Sequence, residues 1–239
     1  MAQYDSYARF YDATQGAFYE RQYLHLLRKY HAKAESLLEI ACGTGCLLMP
    51  LSKHYQVAGL DISGAMLKLA RQKMPDIKFY RQSMAGFQVN RPFDAIICPY
   101  DSINHLLTFG DWVKTFRAAK RHLNLGGVFI FDINTEFRLK ELAASPTWVH
   151  EFDGNTLMMN VSEAGKGVTV WDVKVFERES AKTYRLHHDL IKEISFPLAR
   201  VRSALKRHFD TVRVFDVRNW SRPKKTSRRL FFLGRRKSS

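Results

Sequence analysis

The chain is poor in cysteine. Its 239 residues hold three, Cys42, Cys46 and Cys98, neither an even set nor a CxxC pair. That argues against a disulfide framework or a structural zinc site and predicts a reducing, cytoplasmic setting. No apolar stretch approaches the roughly 20 residues that span a bilayer, so no membrane partner is expected. The first residues, MAQYDSYARFYD, have no basic head followed by a greasy segment, so no secretory leader is expected. Internal repeats and low-complexity segments are also missing. Acidic residues are absent from 217–239, which carry nine Lys or Arg: Arg218, Arg222, Lys224, Lys225, Arg228, Arg229, Arg235, Arg236 and Lys237. Removing those nine from the net charge of +15 leaves +6 over the first 216 residues. Such an end attracts nucleic acid or an acidic partner, or simply serves as a solvated surface. LFFL at 230–233 reads as a buried strand rather than a platform for stacking bases.

What is present is an ordinary globular composition, 46% hydrophobic and 26% charged, and a strong alternation. Five short apolar runs, 36–41, 55–61, 77–81, 93–99 and 126–133, are edged by Gly, Pro, Asp or Asn, as buried parallel strands are. Helical patterns at 46–54, 64–74 and 110–122 separate them, and an amphipathic helix at 17–31 precedes them. The pattern predicts a doubly wound α/β sheet. Residues 147–194 then alternate in short runs split by Gly and Asn turns, an antiparallel β insertion after the fifth strand. A helix near 197–209 and two closing strands complete a seven-stranded, mostly parallel sheet in one domain.

The stretch LLEIACGTGCLL, 37–48, places Gly43 and Gly45 between the first strand and the next helix. A dinucleotide turn needs a third glycine where Leu48 stands, and a phosphate loop needs a Gly-Lys-Ser/Thr that never comes. Asp61 ends the second strand, placed to accept hydrogen bonds from both hydroxyls of a ribose, with Ile62 as an apolar wall for adenine. A nucleoside without a phosphate suits both facts.

These segments resemble the core of class I S-adenosylmethionine-dependent methyltransferases, which have a Rossmann-like fold: EIACGTG their first motif, GLDIS their ribose-binding strand, FDAIICPYDSINHL their fourth strand and loop, HLNLGGVFIFDIN the lead into their fifth. The resemblance implies S-adenosyl-L-methionine as cofactor, a core at 33–135, an N-terminal lid and helix at 1–32, and a closing helix and strands at 195–239. It implies that Gly43 and Gly45 approach the methionyl part, that Glu39 helps fix the turn, and that Asp61 takes the ribose. Ser83 stands where the family shows an acid that reads adenine, with Met84 after it. The Tyr-rich N-terminus and the insertion resemble a subgroup of small-molecule N-methyltransferases, in which Tyr11 folds over the cofactor. Tyr11 equally reads as an aromatic packed on the helix at 17–31.

Methyl transfer needs no metal, and no metal site is expected. The loop PYDSINHL, at the carboxyl edge of the sheet, supplies the chemistry-bearing candidates Tyr100, Asp101, Asn104 and His105. Tyr100 is expected to border the methyl donor. His105 reads either as a general base facing the acceptor or as a residue packed beside a short helix capped by Asp101 or Ser102. In RLHHDL one of His187 and His188 is expected to line the acceptor pocket, and Trp148, His150 and Trp171 either line it or form core. The expected reaction is methylation of nitrogen or oxygen on a small molecule. Two other readings stay open: methylation of RNA through the basic C-terminal end, and a non-catalytic cofactor- or partner-binding protein. The oligomeric state is open, a dimer included.

Overall fold

Runs of Val, Ile, Leu and Phe with no polar face must be covered on both sides, and strand–helix alternation does this. The computed structural model describes residues 4–15, 19–218 and 220–237. Two N-terminal helices, α1 (Tyr11–Gln15) and α2 (Glu20–Tyr30), precede β1 (Ser36–Ile40), α3 (Leu48–Leu51), β2 (Gln56–Asp61), α4 (Gly64–Lys73) and β3 (Lys78–Arg81). Next come β4 (Phe93–Cys98), α5 (Phe109–Arg121), β5 (Leu123–Asn134) and α6 (Glu136–Ala143). The strands β6 (Trp148–Phe152), β7 (Asn155–Glu163), β8 (Val168–Arg178) and β9 (Tyr184–Ile194) follow, then α7 (Leu198–Lys206), β10 (Thr211–Asp216) and β11 (Arg229–Arg235).

The seven-stranded sheet runs β10-β11-β5-β4-β1-β2-β3, with β11 antiparallel to both neighbours and the rest parallel. The chain winds outward from β1 through β3, then restarts at β4 on the other side of β1. At that reversal the loops leaving β1 and β4 diverge and open a crevice at the carboxyl edge. The strands β6 to β9 form a separate antiparallel sheet. This is the doubly wound α/β fold with a small antiparallel insertion after the fifth strand.

Apolar layers cover both faces of the main sheet. Trp112, Phe116, Phe129, Phe131 and Phe232 pack on one side; Tyr23, Leu27, Leu37, Leu47 and Phe231 pack on the other. Successive residues of β11 therefore face opposite layers, and LFFL is a buried strand between β10 and β5. A third cluster joins Tyr7 and Phe10 of the N-terminal segment to Leu157, Val173, Val175 and Ile191 of the insertion.

Three local expectations shift. The helix expected over 46–54 is a single turn, Leu48–Leu51, after which Ser52 Oγ donates back to the Met49 carbonyl at 2.7 Å. The fifth strand begins at Leu123, not at the glycines: Gly126, at φ +78°, sits inside the strand where the register with β4 slips. The helix α6 lay outside the expected pattern; Thr135 caps it by accepting from Arg138 N–H at 3.1 Å. The helix expected from 17 is described from Glu20, and residues 17 and 18 lie outside the described residues. Among the described residues, no helix is long and apolar enough to cross a membrane.

Candidate active site

The turn after β1 is shaped by backbone that L side chains resist. Ala41 (φ +57°), Gly43 (φ +53°) and Gly45 (φ +75°) all adopt left-handed conformations. Asp61 ties this turn to the next strand end, one carboxylate oxygen accepting from Gly43 N–H and the other from Ser63 N–H, each at 2.8 Å. With Ile62 N–H also directed at it, the carboxylate keeps capacity for a further donor. Burial raises the Asp61 pKa, and the N–H groups of Ser63, Gly43 and Ile62 oppose that rise. Glu39, at the end of β1, is 1% exposed, and its Oε2 has no hydrogen-bond partner among the described residues. Burial, then the nearby Asp61 charge, pushes its carboxyl well above the usual range.

A cavity of about 240 Å³ opens beside this turn. It brings together Gly43, Asp61, Ile62, Ser83, Met84, Tyr100, Tyr11 and His105 of the expected residues. Two expected residues are not at its wall. Glu39 lies buried behind the turn. Gly45 faces α4, where an added Cβ would come within 2.3 Å of Met74 Cε; its glycine permits close packing under the turn. The Ser83 hydroxyl already accepts from Ala85 N–H at 3.2 Å, in a local turn.

The N-terminal segment crosses this cavity as a strap. Asp5 accepts from Ser63 Oγ at 2.6 Å, while Asp12 accepts from Thr44 Oγ1 and pairs with Lys73 at 2.5 Å. On the other side Arg9 pairs with Glu177, and Tyr7 N–H donates to Asp189 at 2.8 Å. Tyr11 thus lies against the cavity, held there with Tyr4 and Tyr7 by edge-on ring contacts.

His105 also lines this cavity, and its tautomer follows from its partners. Nδ1 lies 3.2 Å from the Lys192 carbonyl, which can only accept, so Nδ1 carries the proton. Nε2 then accepts the Tyr4 hydroxyl at 3.2 Å. Burial lowers the His105 pKa, although Asp101 and the Lys192 carbonyl oppose the shift.

A second cavity of about 230 Å³ lies between the main sheet and the insertion and shares Tyr4, Tyr11 and Tyr100 with the first. Its wall carries Asp101, Glu193, Arg229 and Trp171. Arg229 pairs with Asp101 at 2.8 Å and with fully buried Asp132, which also accepts the Tyr23 hydroxyl at 2.6 Å. Trp171 Nε1 is buried without a partner among the described residues.

Of the insertion residues expected at an acceptor pocket, the structure brings only Trp171 there. Trp148 is 47% exposed and stacks on His150, outside both cavities. His187 meets Glu177 and Arg9, and His188 meets Asp172 at 2.7 Å; neither histidine lines either of these two cavities. Missed by sequence were Tyr4, Glu193 and Arg229. Tyr4 had a signal in the Tyr-rich N-terminus; the other two had none, since Arg229 reads as surface charge and Glu193 as an alternating strand residue. Asn104 is buried as a brace, donating to the carbonyls of Asn134 (3.0 Å) and Ile194 (2.9 Å). Burial disfavours the thiolate at all three cysteines, pushing Cys46 up to about 12 and Cys42 and Cys98 well above their usual range. Among the described residues no cluster of His, Cys, Asp or Glu could hold a metal ion.

The chain is similar in sequence and fold to known proteins. A family described as "Methyltransferase domain" matches residues 37–127. A putative methyltransferase of Bacillus subtilis (strain 168) is 27% identical over 237 residues, covering 96% of this chain and 95% of that one. A dTDP-3-amino-3,6-dideoxy-alpha-D-glucopyranose N,N-dimethyltransferase of Streptomyces fradiae is 32% identical over 70% of this chain and 60% of its own length. The crystal structure of an S-adenosylmethionine-dependent methyltransferase from Clostridium acetobutylicum superposes with a TM-score of 0.84 at 23% identity, covering 98% and 99% of the two chains. With the glycine turn, the acid at the end of β2 and the strand order all in place, the chain belongs to the class I S-adenosylmethionine-dependent methyltransferases.

Proposed function

We propose that the first cavity holds S-adenosylmethionine and the second a small-molecule acceptor, whose nitrogen or oxygen is methylated between Tyr4, Tyr11 and Tyr100. The observation that carries this reading is the pair of cavities meeting at those three rings.

The residues of the first cavity suit the cofactor. A Cβ built on Gly43 meets nothing nearer than Met66 Sδ at 3.9 Å, so the turn leaves room for a ligand against its backbone. The unpartnered Glu39 Oε2 favours a positive charge nearby, and the cofactor carries both an ammonium and a sulfonium. Asp61 takes a ribose hydroxyl with its remaining acceptor capacity, and Ile62 and Met84 flank the base. Ser83 and the neighbouring backbone read its edge. S-adenosylmethionine supplies a methyl group on positively charged sulfur, ready for in-line displacement.

The protein's own part is placement and exclusion of water. The strap from Tyr4 to Gln15 closes the first cavity over the turn. His105 holds Tyr4 at the junction through its Nε2, so it acts on the acceptor side through that phenol. The Streptomyces relative acts on a sugar amine, which supports nitrogen as the attacking atom here. A cytoplasmic location fits three unpaired cysteines. Of the basic C-terminal end, Arg229 turns into the second cavity, Arg228 pairs with Glu141, and Arg236 donates to the Lys120 and Leu123 carbonyls, which favours a structural use over an RNA platform.

The test is incubation with methyl-labelled cofactor and a metabolite extract, followed by mass identification of the product. A labelled small molecule is expected. Label found only in RNA, at a rate that falls steeply with added salt, overturns the reading.

A further inference from the structure

The second cavity has a charge imbalance. Three carboxyl groups, Asp101, Asp132 and Glu193, meet around one guanidinium, that of Arg229. Arg138 stands at the edge and shares Glu141 with Arg228, pairing with it at 2.7 Å and forming no ion pair with the three carboxyls among the described residues. Asp132 is saturated by Arg229, the Tyr23 hydroxyl and Asp101 N–H (3.0 Å). Asp101 holds Arg229 and the Asn134 amide. Glu193 is 3% exposed and receives one long bond, from Asn134 Nδ2 at 3.3 Å. Its other close neighbour is the Asp101 carboxyl, a like charge that raises its pKa. A buried site with more carboxylates than cations favours a positive ligand. The surrounding rings of Tyr4, Tyr7, Tyr19 and Trp171 offer faces that attract one. The unpartnered Trp171 Nε1 is a donor waiting for a polar atom on the same ligand.

We propose that the acceptor is a protonated amine and that Glu193, supported by Asp101, takes the proton the ammonium must lose. This rests on reading the second cavity as the acceptor site. The ammonium gives one N–H proton to the Glu193 carboxylate, which leaves a lone pair on nitrogen. That pair forms the new N–C bond as the C–S bond breaks, and the bonding electrons stay on the sulfur of S-adenosylhomocysteine. The product is again an ammonium, and the proton on Glu193 passes to water after release. His105 is unsuited to this step because its single lone pair is taken by Tyr4. A hydroxyl acceptor would bring no charge to offset the carboxyls.

The charged groups facing Glu193 are Asp101, which repels its anion, and Arg229, which attracts it; Tyr4 faces it as a neutral phenol, and Arg138 stands at the cavity edge. Burial, then Asp101, sets its pKa well above the usual carboxyl range. A base so raised lies nearer an ammonium in proton affinity, which eases the transfer.

Two measurements test this. In the first, the wild-type protein is labelled with 13C at glutamate side-chain carboxyls, saturated with S-adenosylhomocysteine and titrated with pH, with Glu193 assigned by its absence in E193D. Propylammonium is expected to move the Glu193 midpoint down by about one pH unit, as a neighbouring cation does, and propanol to leave it unmoved. In the second, the labelled extract product is expected to carry its methyl on an amine nitrogen. E193Q is expected to lose about 10²–10⁴-fold in kcat/KM with unchanged cofactor affinity and without the acidic limb of the wild-type pH profile, while E193D recovers part of the rate. A methyl on oxygen, a midpoint indifferent to propylammonium, or E193Q turnover with the wild-type pH profile overturns the proposal. Should E193Q fail to fold, D101N carries the same test through a lowered Glu193 midpoint. If the extract yields no small-molecule product while propylammonium still moves the midpoint, the amine site stands and the acceptor reading fails.

Discussion

The two cavities share three tyrosines and are otherwise built on different plans. The first is made of backbone: a turn with three left-handed residues, a strand-end aspartate and the loop after β4. The second is made of side chains drawn from the N-terminal segment, the loop after β4, β5, α6, three strands of the insertion and β11. A cavity shaped by backbone at a topological switch point is dictated by the fold, whereas one assembled from scattered side chains is free to differ between proteins of that fold. Cofactor binding belongs to the fold, and acceptor choice belongs to the individual chain.

The largest expected effect sharpens this contrast. Arg229→Met leaves Asp132 and Asp101 without their cation in a buried setting, and loss of one partner there costs about 3–5 kcal/mol of stability. Urea denaturation checks this; a loss under about 1 kcal/mol would mean the acceptor side is not held by its charges. Asp61→Ala should weaken S-adenosylhomocysteine binding by about 1.5–3 kcal/mol, since a buried charged acceptor is lost. Calorimetry reads it, and unchanged affinity would remove the ribose role. Gly45→Ala should cost about 1–3 kcal/mol of stability through its left-handed φ of +75° and the approach to Met74. A neutral result would show that the turn is softer than its geometry.

Smaller effects lie at the periphery. The Asp94 carboxyl, although burial works to raise it, is brought down to about 2 by Asn124, the Glu35 N–H and Ser36, from an ordinary 3.8. A depressed carboxyl stabilises the fold above its unfolded pKa and loses that contribution as pH falls towards the folded value. Asp94→Asn should therefore flatten the acid-side stability profile between pH 4 and 2, as followed by circular dichroism, and leave cofactor binding untouched. The smallest change is Arg9→Ala. Arg9 is half exposed, and solvent screens a pair of that kind so that it contributes little. Stopped-flow release of S-adenosylhomocysteine should be faster by up to about fivefold.

The contrast also explains what was legible in the sequence. Gly43 and Asp61 lie 18 positions apart in one strand–turn–helix–strand unit, so their spacing carries their geometry. Tyr100 and His105 lie in the loop that the alternation had already placed at the carboxyl edge. The acceptor side has no such local record. Tyr4, Glu193 and Arg229 meet only after the insertion folds back on the sheet, and no periodicity marks which face of β9 turns inward at Glu193. Gly45 shows a second constraint that the motif alone does not record: its side-chain-free position also answers to Met74.

The strap has a kinetic consequence. Tyr4 and Tyr11 wall both cavities, and the segment that carries them is fastened to the core at Ser63, Thr44 and Lys73 and to the insertion at Glu177 and Asp189. Peeling it away uncovers both chambers in a single motion. On the proposed assignment of the cavities, spent donor and finished product would leave through one opening, and variants that loosen the strap are expected to quicken both releases together.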